Sequence, residues 1–231
     1  MNMPNRISHA PRTLRVLAKL LGYPDAELRQ HLPELRDAVH GEHMLSPRRL
    51  AELDVLIDSL AQMDALDAEA SYVELFDRGR ATSLHLFEHV HGDSRERGPA
   101  LIDLAQTYEK AGLCLAPQEL PDYLPAVLEF VSTQPAQEAR AFLAEMAHIL
   151  NAIFTALQRH ESHYANVLIA LLELAGETAQ TVEIAPDEAL DASWEEPVIF
   201  DGCSSKGQAK PDQIQPVHIF RNTNSHEGDR A

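Results

Sequence analysis

Residues 135 to 159 read PAQEARAFLAEMAHILNAIFTALQR, and this segment decides the fold class. Phe142, Met146, Ile149, Leu150, Ile153 and Leu157 recur at helical spacing, which puts them on one face of a long helix. The same periodicity extends in both directions. Leu124, Val127, Leu128 and Val131 follow Pro121, and Tyr164, Val167, Leu168, Leu171 and Ala175 form a last helix before Gly176. Leu14, Leu17, Ala18 and Leu21 make a stripe stopped by Gly22-Tyr23-Pro24. Leu28, Leu32, Leu35 and Val39 make another, with Pro33 either kinking it or marking its start. Ser46-Pro47 supplies an N-cap and a first-turn proline for a helix carrying Leu50, Leu53, Ile57 and Leu60. Asp64 caps the next, whose inner face is read as Leu66, Ala70, Val73 and Phe76. Leu101, Leu104, Ala105 and Tyr108 build one more, closed by Gly112. Pro197 to Phe200 is the one candidate strand. The expectation is an all-α, single-domain helical bundle over residues 1–176.

After Gly176 the pattern stops. Residues 177–231 hold 11 acidic and 4 basic side chains and four prolines. Such a segment buries too little apolar surface to offset its ordering entropy, so a largely disordered acidic tail is expected. Trp194, Val198, Ile199, Phe200, Ile219 and Phe220 are the side chains with which it would dock on anything.

The whole chain has 231 residues, 36 acidic against 19 basic, for a net charge of −17. That charge argues against nucleic acid as the main partner and favours a basic or neutral protein. Cys114 and Cys203 form no CxxC pair, and no disulfide framework is expected. The N-terminal segment has no apolar stretch of signal-peptide length, and the longest unbroken apolar run, Val167 to Leu172, is far short of a membrane span. A soluble, cytoplasmic protein without stable membrane insertion is expected. No Walker loop, GxGxxG or GxSxG is present.

One stretch departs from the acidic background. Asp77 to Pro99, DRGRATSLHLFEHVHGDSRERGP, holds four arginines against four acids together with His85, His89 and His91. Glycines 79, 92 and 98 divide it into a short helix flanked by turns. An ion-paired helix junction accounts for this composition as well as a binding surface does. Within it His85-Leu86-Phe87-Glu88-His89 matches H-x-x-E-H, where two helical histidines would bind zinc and Glu88 would serve as general base. A zinc-dependent hydrolase using residues 85–89 is therefore the alternative function, although no spacing singles out a third ligand.

Tyr72 to Arg80 (YVELFDRGR) and Leu86 to Gly98 (LFEHVHGDSRERG) closely resemble the delta subunit family of respiratory nitrate reductase, the molybdenum cofactor assembly chaperones among the redox-enzyme maturation proteins. Glu119 to Pro125 (ELPDYLP) is similar to the family's second block and Leu20 to Asp25 (LLGYPD) to its N-terminal entry. Trp194-Glu195-Glu196 and Gly202-Cys203 echo its tail, so the resemblance covers roughly residues 14 to 203. It implies a system-specific chaperone, not an enzyme, with an all-helical fold and no metal, cofactor or catalytic residue of its own. Such a protein binds the N-terminal segment of the apo catalytic (alpha) subunit, keeps it competent for molybdenum cofactor insertion, and is absent from the final enzyme. Molybdenum cofactor delivery proteins are further expected partners.

On this reading the client-binding surface comprises Asp77, Arg78, Arg80, Glu88, His89, His91, Asp93, Arg95 and Arg97, with Glu119, Asp122 and Tyr123 beside it. Arginine suits bidentate contacts to a carboxylate or another anion. Tyr72, Phe76 and Phe87 are expected to support that surface from the core. His85 is not required by the family motif, so H-x-x-E-H reads as accidental. Three clustered histidines make client binding pH-sensitive on this reading.

Overall fold

A computed structural model of the chain describes residues 10–92, 94–117 and 119–183. Among these residues the elements are α1 (Pro11–Leu20), α2 (Ala26–Gln30), α3 (Leu32–Glu42), α4 (Pro47–Gln62), α5 (Ala65–Phe76), a 3-10 turn (Arg80–Thr82), α6 (Leu86–Val90), α7 (Arg97–Lys110), α8 (Leu124–Thr133), α9 (Ala136–Glu145), α10 (Ala147–Arg159) and α11 (Ala165–Ala175). The all-α bundle is as expected. The candidate strand at 197–200, the docking residues of the tail and Cys203 lie outside the described residues. No single helix among them is long and apolar enough to cross a membrane.

The core is built around α1 and α11. Helix α1 lies against α8 and α3 and touches α11, while α11 packs on α10, α9 and α4. Val167, Leu168, Ala170, Leu171 and Leu172 of α11 are fully buried, as are Leu17, Leu20 and Leu21 at the end of α1. Several helix starts are closed by carboxylates from elsewhere in the chain. Helix α1 has no side-chain cap of its own, and Glu42 accepts the backbone N–H groups of Arg12 and Thr13, at 3.1 and 2.6 Å. Glu173 of α11 accepts from the Ser46 backbone N–H (2.6 Å) and hydroxyl (3.0 Å) and pairs with Arg49 (3.2 Å), tying the start of α4 to the core. The expected local caps also form: the N–H groups of Arg49 and Leu66 donate to Ser46 and Asp64. Pro33 marks a start, since α2 and α3 are separate helices with His31 between them.

Two expectations are corrected. The segment 135–159 is not one helix but two, α9 and α10, bent by 60° at Met146. Both halves pack on α11, and the bend lets the second enter the middle of the core while the first crosses its edge. Phe142 is accordingly only half-buried, resting edge-on against Phe130. The inner face of α5 is Ala68, Tyr72 and Phe76; Leu66 is 74% exposed and Ala70 is exposed too. Tyrosine displaces the aliphatic residues because its hydroxyl finds a buried acceptor, the Leu21 carbonyl at 2.8 Å.

The chain does not leave the core at Gly176. The backbone N–H of Gln180 donates to Asn151 Oδ1 (2.7 Å) and that of Val182 to Thr155 Oγ1 (3.1 Å), both on α10. Gly176 makes this return, with φ +82° and the Glu177 N–H donating to the Leu172 carbonyl at 2.8 Å. Gly176→Ala should lower unfolding stability by about 1–2 kcal/mol, the cost of a left-handed L-residue. Gly41→Ala, inside α3 with nothing within 4 Å of the added methyl, should be neutral or stabilising. Urea denaturation of the two variants checks the contrast.

Candidate functional site

The site is organised by Asp122, which is 0% exposed and sits in the loop before α8. That loop is held from below, the Tyr108 hydroxyl donating to the Pro121 carbonyl at 2.7 Å. It meets the stretch before α6 in a short antiparallel bridge between His85 and Tyr123. There the Leu86 N–H donates to the Asp122 carbonyl (3.0 Å) and the Leu124 N–H to the Leu84 carbonyl (2.8 Å). Helix α6 has no local side-chain cap, so the Asp122 carboxylate does that work from 35 residues away, accepting the Phe87 N–H at 3.1 Å. His85 Nδ1 lies 3.4 Å from the same carboxylate and Arg97 Nη2 lies 3.9 Å from it. Arg97, the first residue of α7, also donates to Glu88 at 3.1 Å. One buried acid thus joins α6, α7 and α8.

The electrostatics follow from this packing. Burial pushes the Asp122 carboxyl up, but the His85 and Phe87 hydrogen bonds and the nearby Arg97 charge together hold it below the usual carboxylate value. The Asp122 hydrogen bond holds the His85 imidazolium above the ordinary histidine value, against the effect of its own burial. His89 goes the other way. Burial lowers it, and its Nε2 donates to the Ser83 carbonyl at 2.8 Å, an acceptor that fixes the proton on that nitrogen.

Beside this junction is an open depression of about 470 Å3, lined by Phe76, Asp77, Arg78, Arg80, His85 and Glu88 among others. Its back is aromatic. Phe76 packs against Tyr72 (4.7 Å between ring centres) and Tyr164 (5.1 Å), and the Tyr72 and Tyr123 hydroxyls lie 3.2 Å apart. Gly79 is needed at the turn, because a methyl there would come within 2.7 Å of Thr82 Oγ1, which bonds the Leu75 and Gly79 carbonyls.

The predicted residues therefore fall into groups. Asp77, Arg78, Arg80 and Glu88 share the depression, with Arg78 paired to Glu74 at 2.6 Å. Arg97, Asp122 and Tyr123 lie behind it as a half-buried to buried scaffold, and His89 is half-buried against Ser83. His91 stands edge-on to Phe87, and Arg95 and Glu119 are exposed without lining the depression. Asp93 lies outside the described residues. His85, set aside by sequence pattern, joins the scaffold; its partner is 37 residues away, so no local signal points to it. The H-x-x-E-H side chains do not converge: His85 goes to Asp122, Glu88 to Arg97 and His89 to Ser83. Among the described residues no group of three His, Cys, Asp or Glu side chains is placed to hold a metal ion. Cys114 is exposed with a free thiol.

Comparison with known proteins gives a consistent result. Residues 23–170 match the model of the family described as nitrate reductase delta subunit. The nitrate reductase molybdenum cofactor assembly chaperone NarJ of Escherichia coli (strain K12) is 44% identical over 193 residues, covering 79% of this chain and 82% of the relative. The probable assembly chaperone NarJ of Bacillus subtilis (strain 168) is 32% identical over 168 residues, covering 71% and 90%. A crystal structure described as a redox enzyme maturation protein from Archaeoglobus fulgidus shares the fold, with a TM-score of 0.54 at 19% identity over 74% of this chain and 96% of that one.

Imidazole titration by NMR should place His85 above and His89 below the ordinary histidine value, taken as about 6.5. The raised His85 makes a contribution to stability that is full below that value and lost as pH rises through its own. The lowered His89 makes one that is full above that value and lost as pH falls through its own. Asp122→Asn should bring His85 down and cost about 1.5–3 kcal/mol of stability, the range for losing hydrogen bonds to a charged group.

Proposed function

The chain belongs to the nitrate reductase delta subunit family, and on that premise we propose that it is a chaperone for the maturation of a respiratory nitrate reductase. It binds the N-terminal segment of the apo catalytic subunit in the cytoplasm, keeps that subunit competent for molybdenum cofactor insertion, and leaves before the enzyme is complete. Molybdenum cofactor delivery proteins meet it on the client. The observation that carries this reading is the 44% identity, over four-fifths of both chains, to a molybdenum cofactor assembly chaperone. The chemistry of the site supports it. Glu88, Arg97, Asp122 and His85 are bonded to one another, an arrangement that shapes a surface and sets up no nucleophile with its base.

The client surface is the depression at Asp77, Arg78, Arg80 and Glu88 together with His91, Arg95 and Glu119, and the family resemblance adds Asp93, which lies outside the described residues. Asp122, Tyr123, Arg97 and His89 hold it in shape. An acidic chain of net charge −17 suits a client segment that is amphipathic and positively charged, laid as a helix along the surface.

Calorimetric titration with a peptide copying the N-terminus of the cognate catalytic subunit tests this directly. Saturable binding is expected, with Arg80→Ala weakening it roughly tenfold, about 1.4 kcal/mol, while the circular dichroism spectrum is unchanged. Affinity should also differ between pH 6 and 8, and a flat profile would remove the histidines from recognition. In a strain deleted for this chain the nitrate reductase should accumulate without molybdenum; a fully metal-loaded, active enzyme there would refute the function.

A further inference from the structure

The block Leu20 to Asp25 reaches the site through Tyr23, which is not among the residues of the client surface. Tyr23 follows the end of α1, and its ring stands edge-on to that of Tyr72 in α5, with 5.6 Å between centres. The Tyr72 hydroxyl donates to the Leu21 carbonyl and lies 3.2 Å from the Tyr123 hydroxyl. The blocks 20–25, 72–80 and 119–125 therefore meet at Tyr72. Tyr72 is buried and Tyr123 half-buried, but Tyr23 is 45% exposed, and among the described residues it is the one exposed aromatic side chain. Its hydroxyl donates to Glu69 Oε2 at 3.0 Å, which fixes the ring in place.

The charges around this ring are all of one sign. Partial burial, the Glu69 hydrogen bond and the charges of Glu69, Asp25 and Asp77 push the Tyr23 phenol up. Burial and the charges of Glu119 and Asp77 do the same to Tyr123, against its hydrogen bond with Tyr72. Among the described residues Glu69, Asp77 and Glu119 pair with no cation. The basic residues nearest in sequence are engaged elsewhere: Lys19 with Glu129 (3.7 Å), Arg29 with the Met63 carbonyl and Arg78 with Glu74 (2.6 Å). A rigid exposed ring flanked by unpaired carboxylates attracts a cation through its quadrupole and through charge at once. Charge alone would draw any cation, but a planar ring favours guanidinium. That group stacks flat on an aromatic face, forks to a carboxylate, and is more weakly hydrated than an ammonium.

We propose that Tyr23 receives an arginine side chain of the client segment, stacked on its ring, with Glu69 and Asp77 supplying the countercharge. This rests on the chaperone reading and extends its surface from the depression, which Asp77 lines, along α5 to the end of α1. Two titrations of the full chain test it. Calorimetry compares the client peptide with a copy in which each arginine is citrulline, which keeps the shape and removes the charge. Separately, the 15N-labelled chain is titrated with acetyl-Leu-Arg-Leu amide and with its citrulline analogue, which probes the site without the client. The arginine tripeptide should shift the amides of Tyr23, Glu69 and Asp77 saturably, and the citrulline tripeptide should not. Tyr23→Leu should weaken the client peptide about threefold or more and leave the weaker citrulline copy unchanged. Asp77→Asn, whose exposed side chain makes no hydrogen bond among the described residues, should weaken it too and decides the matter if Tyr23→Leu disturbs the fold. Equal responses to the two tripeptides, shifts confined to other residues, or a client affinity unchanged in both variants would each overturn the proposal while the chaperone reading stands. A client peptide that does not bind at all overturns both.

Discussion

A carboxylate with no access to water has to be surrounded by donors or it will not stay charged, and Asp122 meets that requirement with groups from two helices, α6 and α7, and from His85 just before α6. The Phe87 N–H, the His85 imidazole and the Arg97 guanidinium converge on it, and its own backbone carbonyl accepts the Leu86 N–H. None of these elements is stable alone. Helix α6 has five residues, too few to offset its own nucleation, and α7 buries only Tyr108 among its side chains. The acid supplies what packing does not. Its removal would leave the His85 imidazolium partly buried without its carboxylate and Arg97 with Glu88 alone.

The same device recurs more quietly elsewhere. Glu42 closes the start of α1, and Glu173 the start of α4, each from a distant helix. In a chain so rich in acids, carboxylates are the available currency for closing helix N-termini, and their charge is favoured there by the helix dipole. The surplus acids give the molecule a negative field.

This explains which parts of the molecule were legible in the sequence. Helical stripes such as Leu14, Leu17 and Leu21, and caps such as Ser46 and Asp64, are local, so spacing alone located them. The bend at Met146 escaped because the apolar pattern runs across it unbroken; what sets it is the need of both halves to reach α11. In α5 the apolar stripe of Leu66, Ala70 and Val73 misplaces the inner face, whereas the expectation that Tyr72 and Phe76 lie in the core holds, the Tyr72 hydroxyl meeting the Leu21 carbonyl. In the site, the family-like blocks pointed to Asp77, Arg78, Arg80, Glu88 and Asp122 as a group. Only the fold separates those that line the depression from those that hold it. His85 was passed over since its partner is reached through tertiary structure and not through any fixed spacing.

In the proposed function the junction at Asp122 shapes the surface that receives the client. Amide hydrogen exchange of the full chain, with and without the client peptide at saturation, tests that claim most directly. Added protection should concentrate in residues 76–91 and 119–124, and should be lost in Asp122→Asn at equal peptide occupancy. Protection confined to other helices, or an Asp122→Asn pattern identical to the parent's, would contradict it.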